Sequence, residues 1–236
     1  MSIHIGANIG DIAETVLLPG DALRAQWIAE TFLHGARKVN AVRNAFAFTD
    51  DHGPHNKRVS VMGTGMGLSN QNIYVTELIK DYNVKRFIRV GSCGAFLPEI
   101  KLGDIILAMG ACTDSGMNAE RFSGSHFAPI ADFTLLHQAF ETAQTLNIPV
   151  QVGNIFATER FYKEENQEWW RKWVKYGVIA IEMETAELYT LAAYYGVQAL
   201  TILTVSDNLV TNAQMTAEER ERGFSTMVKL ALTLAL

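Results

Sequence analysis

Short apolar runs rich in valine and isoleucine recur along this chain, each followed by an amphipathic stretch, and that alternation limits the fold more than any other feature. The runs lie at 16–18, 59–62, 87–90, 104–109, 150–156, 178–181 and 199–205. The helix-like stretches lie at roughly 21–33, 69–81, 132–146, 165–175, 184–195 and 216–235. A strand buried on both faces reads as an unbroken apolar run, because neither side meets water. Strands alternating with helices make a mixed or parallel sheet covered by helices. The pattern predicts an α/β fold, a mixed or parallel sheet covered by helices, at a length that allows one large domain or two small ones. Residues 45–62 depart from the alternation and read as a hairpin, with its turn at Asp50-Asp51-His52-Gly53-Pro54-His55-Asn56. Helix starts are marked by Asp21, placed to cap the first stretch, and by Thr216-Ala217-Glu218-Glu219, a capping box at the head of the last.

Composition removes several classes of function. With 48% hydrophobic and 19% charged residues, the 236-residue chain is able to bury a core. A formal charge of −5 without a basic run does not suit grasping nucleic acid by its phosphates. The two cysteines form no C-x-x-C pair, which excludes a disulfide scaffold and a structural zinc site. The start Met1-Ser2-Ile3-His4-Ile5-Gly6 has no charged segment before an apolar run, and no segment reaches a membrane-spanning length. A soluble protein in a reducing cytoplasm is the expectation.

In α/β sheets ligands gather at the carboxyl ends of strands. Five runs end in chemistry-bearing residues: Pro19-Gly20-Asp21-Ala22-Leu23-Arg24, Gly63-Thr64-Gly65-Met66-Gly67, Gly91-Ser92-Cys93-Gly94, Glu182-Met183-Glu184 and Ser206-Asp207-Asn208. Gly20 with Arg24 suits an anion at a helix N-terminus, or equally a capped helix with a surface arginine. Arg89 sits inside an apolar run just before what reads as a Gly-Ser-Cys-Gly turn; it needs a partner, either an anion shared with Ser92 or a core carboxylate. Gly63-Thr64-Gly65-Met66-Gly67 lacks the G-x-G-x-x-G spacing and reads as a tight turn. Asp207 is either a desolvated acid able to donate a proton at neutral pH or a turn former. His4 alone reads as part of a frayed end. His52 and His55 read as a solvated hairpin tip, since a metal site lacks a third ligand. Trp169, Trp170, Trp173 and Tyr176, at helical spacing, read as core or subunit contact.

Taken in order, these residues resemble those of the bacterial hexameric purine nucleoside phosphorylases, within the wider nucleoside phosphorylase group. The resemblance runs from about His4 to the last helix and implies an α/β fold of one domain over 1–236, a three-layer α/β/α arrangement around a mixed central sheet. It is carried by Pro19-Gly20-Asp21 with Arg24, Val42-Arg43, Gly63-Thr64-Gly65-Met66-Gly67 with Glu77-Leu78, Arg89-Val90-Gly91-Ser92-Cys93-Gly94, Met109-Gly110-Ala111-Cys112-Thr113-Asp114-Ser115, Phe161-Tyr162, Glu182-Met183-Glu184, Ser206-Asp207 and Arg220. The resemblance implies reversible phosphorolysis of purine ribo- and deoxyribonucleosides to free base and pentose 1-phosphate. It implies a phosphate site at Gly20, Arg24, Arg89 and Ser92, with Arg43 from a neighbouring subunit. It implies ribose contacts at Glu182, Met183 and Glu184, with His4 crossing the interface. The base is implied to lie among Cys93, Gly94, Phe161, Ile181 and Ser206, where Asp207 protonates N7 with Arg220 as partner. No metal or organic cofactor is implied, inorganic phosphate being a co-substrate. The implied assembly is a homohexamer built as three dimers. Movement of the last helix, carrying Arg220, is expected to gate protonation.

Some positions depart from the family pattern. Ser69 and Asn70 stand where Pro-Ser is common, Asn72 replaces a small residue, Ala22 replaces Pro, and Asn208 follows Asp207 where His is frequent, a change that bears on base preference. Two rivals share the fold. Uridine phosphorylases carry a Gln-x-Arg pair, whereas Gln167-Glu168-Trp169 has no arginine at that offset. A methylthioadenosine-type hydrolase uses water and has no use for Arg24, Arg43 and Arg89. A purine-binding protein without turnover is a third alternative, opposed by the presence of the acid, the arginines and the carboxylates together.

Overall fold

The computed structural model of the chain describes residues 2–53, 56–163, 168–222 and 224–235. Its strands are β1 (Thr15–Leu18), β2 (Arg37–Asn40), β3 (Ala47–Gly53), β4 (Lys57–Met62), β5 (Arg86–Ala95), β6 (Ile105–Thr113), β7 (Val150–Ala157), β8 (Val178–Glu182), β9 (Gln198–Asn208) and β10 (Ala213–Gln214). Its helices are α1 (Ala22–Phe32), α2 (Leu68–Tyr82), α3 (Gly116–Arg121), α4 (Phe133–Thr145), α5 (Arg171–Val174), α6 (Thr185–Tyr195), α7 (Ala217–Arg222) and α8 (Ser225–Thr233). No described helix is long and apolar enough to cross a membrane.

Among the described residues the strands form one mixed sheet, ordered β10-β9-β6-β7-β8-β5-β1-β4-β3-β2. β1 runs parallel to β4 and β5, β5 parallel to β9, and β6 parallel to β7, while β3–β4, β6–β9 and β5–β8 are antiparallel. The β5–β9 pairing has a further consequence. With β9–β6, β6–β7, β7–β8 and β8–β5 it closes five strands into a ring, leaving β1 to β4 as an open wing. The α/β expectation therefore holds, with a curled half that periodicity does not reveal.

The apolar runs explain the layering. β1 is buried at every position, and β9 at nine of its eleven. Helices then cover the sheet: α1 buries Ala25, Ile28 and Ala29, α8 buries Met227, Val228, Leu230, Ala231 and Leu232, and α6 buries every residue from Thr185 to Ala192. Caps behave as the sequence suggests. Asp21 accepts from the Leu23 N–H at 2.9 Å, and Asp132 does the same for Leu135. The Thr216 hydroxyl and Glu219 carboxylate cap each other's backbone N–H groups at 3.2 and 2.7 Å, the reciprocal pattern of a capping box.

Four elements differ from expectation. Gly91-Ser92-Cys93-Gly94 is not a turn but strand, because β8 and β9 supply ladder partners to the end of β5. The stretch 165–175 shortens to the single turn α5, and residues 164–167 lie outside the described part. The stretch 216–235 splits into α7 and α8 at Phe224 (φ −103°, ψ 12°); the apolar spacing survives the break, so periodicity reads it as one helix. Phe224 is fully buried, which is worth about 2 kcal/mol and fixes the junction. β2 escapes the sequence pattern because Arg37-Lys38-Val39-Asn40 is a polar edge strand with no apolar run to show it.

Candidate active site

Strand register brings the singled-out residues together. Leu18 pairs with Arg89 across β1 and β5, so Gly20, two residues on, lies beside the arginine. Cys93 pairs with Val205, but Gly94 pairs with Asp207, so Ser206 is the extra residue of a bulge. A bulge turns the strand locally and re-aims its side chains. Gly94 also pairs with Ile181 of β8, which places Ile181, Gly94 and Asp207 side by side. Below this row opens a cavity of about 710 Å³. Gly20, Arg24, Arg89, Ser92, Cys93, Gly94, Phe161, Ile181, Glu182, Met183, Glu184, Ser206, Asp207 and Arg220 all line it; His4 and Arg43 do not.

One end of the cavity presents buried guanidinium donors without protein partners. Arg89 is 3% exposed, donates from Nε to Glu182 Oε2 at 3.0 Å and from Nη2 to Glu184, while its buried Nη1 has no protein partner. Of the sequence alternatives for Arg89, the core carboxylate is the one seen: it is ion-paired with Glu182 and Glu184, and Nη1 remains an unmet donor. Burial works against its charge, but Glu184 and Glu182 more than offset that and hold Arg89 above its ordinary range. A side-chain carbon placed on Gly20 would lie 4.0 Å from that free Nη1, so the Gly20 backbone and the unpaired donor face one spot. Arg24 enters from α1, with its guanidinium carbon 4.3 Å from the centre of the Phe224 ring and a buried Nε lacking a partner. Burial pulls Arg24 down to about 10, which leaves it charged at neutral pH. Two buried guanidinium groups with unmet N–H donors are costly unless an anion meets them.

The carboxylates behind this pocket are tightly held. Glu182 accepts from Arg89, from the Glu184 N–H at 3.0 Å and from the Thr185 N–H at 2.9 Å. Burial pushes Glu182 up to about 7, against the pull of Arg89 and with the push of Glu184. Glu184 Oε1 accepts from the Gly67 N–H at 2.7 Å, which ties the glycine loop after β4 to the cavity floor.

At the other end Asp207 Oδ1 accepts from the Ser206 hydroxyl at 2.8 Å, and Arg220 Nη2 lies 3.6 Å away. The expectation of a shielded carboxyl is corrected here: the Asp207 side chain is 28% exposed. Its strand ends one residue later, and the carboxylate, with one side packed against Gly94, lines the cavity. Cys93 is buried, and burial raises its thiol well above the usual range, so it serves as an apolar wall. Asn208 turns away from the cavity: its amide donates to the carbonyls of Leu97 and Ile100 at 2.8 and 2.9 Å and its oxygen accepts from Val210 and Thr211. Asn208 is thus a loop fastener, not a residue that faces a ligand.

His4 Nδ1 lies 2.5 Å from Glu77 Oε1, leaving Nε2 pointing elsewhere, and Arg43 is exposed in a short 3-10 turn with φ 55°. Arg43 and Asn44 both hold positive φ, a strain that surrounding structure must enforce. Among the described residues no three His, Cys, Asp or Glu side chains cluster to hold a metal ion. His52 Nδ1 meets Asn56 Oδ1 at 3.0 Å, and His55 lies outside the described residues.

Sequence reasoning does not find Met66, Thr158, Trp169, Leu209 and Gln214 as cavity residues. The spacing of Trp169 reads as core; it does meet Phe96 and Phe156 edge-on or tilted, but it also reaches the cavity wall. Behind that wall Lys163 donates to Asp114 Oδ2 at 2.5 Å and to Thr158 Oγ1 at 2.7 Å, with its ammonium 5.1 Å from the Trp169 ring centre. Asp114 also accepts from the Glu159 N–H at 3.0 Å. Hydrogen bonds from Lys163, Glu159 and Thr158 hold Asp114 below the usual carboxylate range despite its burial. The departure Asn72 has a partner as well: it donates to Glu187, which Arg121 grips with both guanidinium nitrogens.

A family model described as the phosphorylase superfamily matches residues 14–235. Curated relatives named purine nucleoside phosphorylase DeoD-type are similar over the whole chain. The protein of Alkaliphilus metalliredigens is 55% identical over 235 residues, all of both chains. That of Caldanaerobacter subterraneus is 56% identical over 235 residues, again all of both chains. That of Geobacillus kaustophilus is 51% identical over 236 residues, covering all of this chain and 98% of its own.

Proposed function

The chain belongs to the phosphorylase superfamily, and from that premise we propose that it is a purine nucleoside phosphorylase, exchanging the purine of a ribo- or deoxyribonucleoside for inorganic phosphate, reversibly. One observation carries this reading: the unpaired Arg89 Nη1 and the Asp207 carboxyl line a single cavity large enough for a nucleoside between them.

Phosphate is a weak nucleophile, so the anomeric carbon must become cationic before it is attacked. The base occupies the end formed by Phe161, Cys93, Gly94, Ile181 and Ser206. Once the base is seated and covers Asp207 from water, the carboxyl, having taken a proton from solvent, gives it to purine N7; the N-glycosidic bond breaks, and its electron pair leaves with the base. Arg220 then neutralises the carboxylate that remains. The sugar passes through an oxocarbenium-like state that Met183 and Glu184 orient. Phosphate, held by the Gly20 backbone, Arg24, Arg89 and Ser92, stabilises that cation and forms the new C–O bond. Glu182 lines the cavity, but its oxygens are committed to Arg89 and backbone N–H groups, so its part is to hold Arg89 rather than to touch ribose. Arg220 rides on α7, apart from α8, so movement of α7 alone carries it toward or away from Asp207. Every step is assigned to side chains and phosphate, without metal or organic cofactor.

His4 and Arg43, outside the cavity of their own chain, complete the site of a neighbour, and we propose a homo-oligomer, a hexamer of three dimers, working in the cytoplasm. Initial rates with inosine, adenosine, guanosine and uridine, with and without phosphate, test the reading. Phosphate-dependent cleavage of purine nucleosides is expected. Equal rates without phosphate make the protein a hydrolase, and preference for uridine makes it a pyrimidine enzyme.

A further inference from the structure

The anion end of the cavity carries no spare positive charge. Arg24 and Arg89 contribute two positive charges, and the buried Glu182 and Glu184 contribute two negative ones when both are ionised, as at a pH above the value of about 7 to which burial pushes Glu182. Arg89 bonds both carboxylates and still directs its free Nη1 at the Gly20 backbone. An arriving phosphate dianion therefore meets the far side of a guanidinium already neutralised by two carboxylates. Even with Arg43 added from a neighbour, the filled site is left one negative charge in excess. Uncompensated charge in a dry interior is strongly disfavoured. One proton closes the count at zero.

We propose that Glu182 takes up a proton from solvent as the anion enters, so that binding of the phosphate substrate is coupled to protonation of this carboxylate. The inference rests on the anion site assigned above. No bond to phosphate forms or breaks in this step; a solvent proton moves onto Glu182, and the negative charge of the filled site falls by one.

The groups facing Glu182 single it out. From β5 come Arg89 and Cys93, from the residues after β8 comes Glu184, and from α6 comes Tyr189. Burial keeps the Cys93 thiol and the Tyr189 hydroxyl protonated, so neither takes part. Glu184 has both oxygens engaged, by Gly67, Met183 and Arg89. Glu182 is the deeper of the two carboxylates, 1% exposed, and its Oε1 accepts only from Thr185. That leaves a lone pair for a proton while Oε2 keeps Arg89. The upward push that burial already gives Glu182 points the same way.

The test is titration calorimetry of the whole protein at pH 8 in two buffers of different ionisation enthalpy, with sodium sulfate and with inorganic phosphate as probes. Sulfate has no basic group near this pH, so any uptake it causes belongs to the protein. Between about half and one proton is expected per sulfate bound, and affinity is expected to fall by up to roughly tenfold per pH unit above 7. Glu182→Gln is expected to bind either anion without uptake and with a flat pH profile. Sulfate binding without uptake overturns the proposal. If sulfate does not bind and phosphate does, the variant decides: uptake that persists in Glu182→Gln lies on the phosphate and overturns it, and uptake that vanishes supports it. Failure of both anions to bind strikes the anion site itself, and the proposal falls with it.

Discussion

At position 94 a single methyl group is too much. A side-chain carbon there would lie 2.6 Å from Asp207 Oδ2 and 2.6 Å from Leu209 Cδ1. Glycine lets the acid lie flat against β5, and the bulge at Ser206 supplies the register that brings the two together. Gly94→Ala is therefore expected to displace Asp207 and lower kcat/KM on the order of 10²-fold, with the phosphate KM unchanged; steady-state kinetics with each substrate varied in turn checks this. Glu182 supports a second prediction at this scale. Its folded value, about 7, lies above the ordinary 4.5. The folded state thus binds the proton more tightly, so this group favours folding below about 4.5, and that stability is lost as pH rises through 7. Urea midpoints of the parent and Glu182→Gln are expected to shift relative to each other over that window, with the variant gaining as pH rises. A difference that stays constant from pH 5 to 8 sinks the assignment.

Between strands and helices, two small devices hold groups of the proposed site. Lys163 clasps Asp114 at the end of β6 to Thr158 after β7, and so fixes the segment that carries Phe161 and backs Trp169. Lys163→Met is expected to raise the nucleoside KM about tenfold, equivalent to the 1–3 kcal/mol of a lost charge-assisted hydrogen bond, and to leave the phosphate KM alone. Lys163→Arg is expected to recover part of the loss; equal changes in both KM values would mean a general loss of structure. The capping box on α7 is the second device. Thr216→Ala removes a cap worth about 1 kcal/mol, so the rate of bond cleavage is expected to fall about fivefold in single-turnover assays as Arg220 loses its support. The melting temperature is expected to drop by no more than about 2–4 °C. What the sequence discloses at this scale follows from distance along the chain. Strand-end residues are legible because each follows its own apolar run within a few positions. The Lys163 clasp is not, because its partner Asp114 lies 49 residues away, and neither residue stands in an apolar pattern. The ring of five strands is hidden for the same reason: β5 and β9 pair across more than a hundred residues, and periodicity reports burial but not neighbours. The exposure of Asp207 is hidden too, since a residue near a strand's end reads alike whether it lies covered or open to the cavity.

The whole molecule raises the question of where one site ends. His4 is anchored by Glu77 with its other ring nitrogen turned away, and Arg43 stands exposed on a strained turn; neither reaches the cavity of its own chain. Exposed apolar side chains, Ile3, Ile9 and Val42, accompany them, and Met66, Phe161 and Tyr162 stand exposed at or beside the cavity. Apolar surface in that quantity suits contact with a second copy. If Arg43 serves the neighbour, a chain lacking Arg43 and a chain lacking Asp207 repair each other. In a mixed dimer, the Arg43→Ala chain keeps its own Asp207 and receives Arg43 from the Asp207→Ala partner, so one of its two sites is whole. Random pairing makes half of all dimers mixed, so roughly a quarter of all sites work, as the two-fold exchange of an isologous contact requires. Co-expression of the two variants is expected to yield about that fraction of parental phosphorolysis, while each variant alone shows a small residue. Had Arg43 acted within its own chain, every site in every mixture would lack one of the two groups, and co-expression would add nothing. Activity restored by mixing thus separates a site shared between chains from one that is merely close to a surface, and the distinction holds whether two subunits assemble or six.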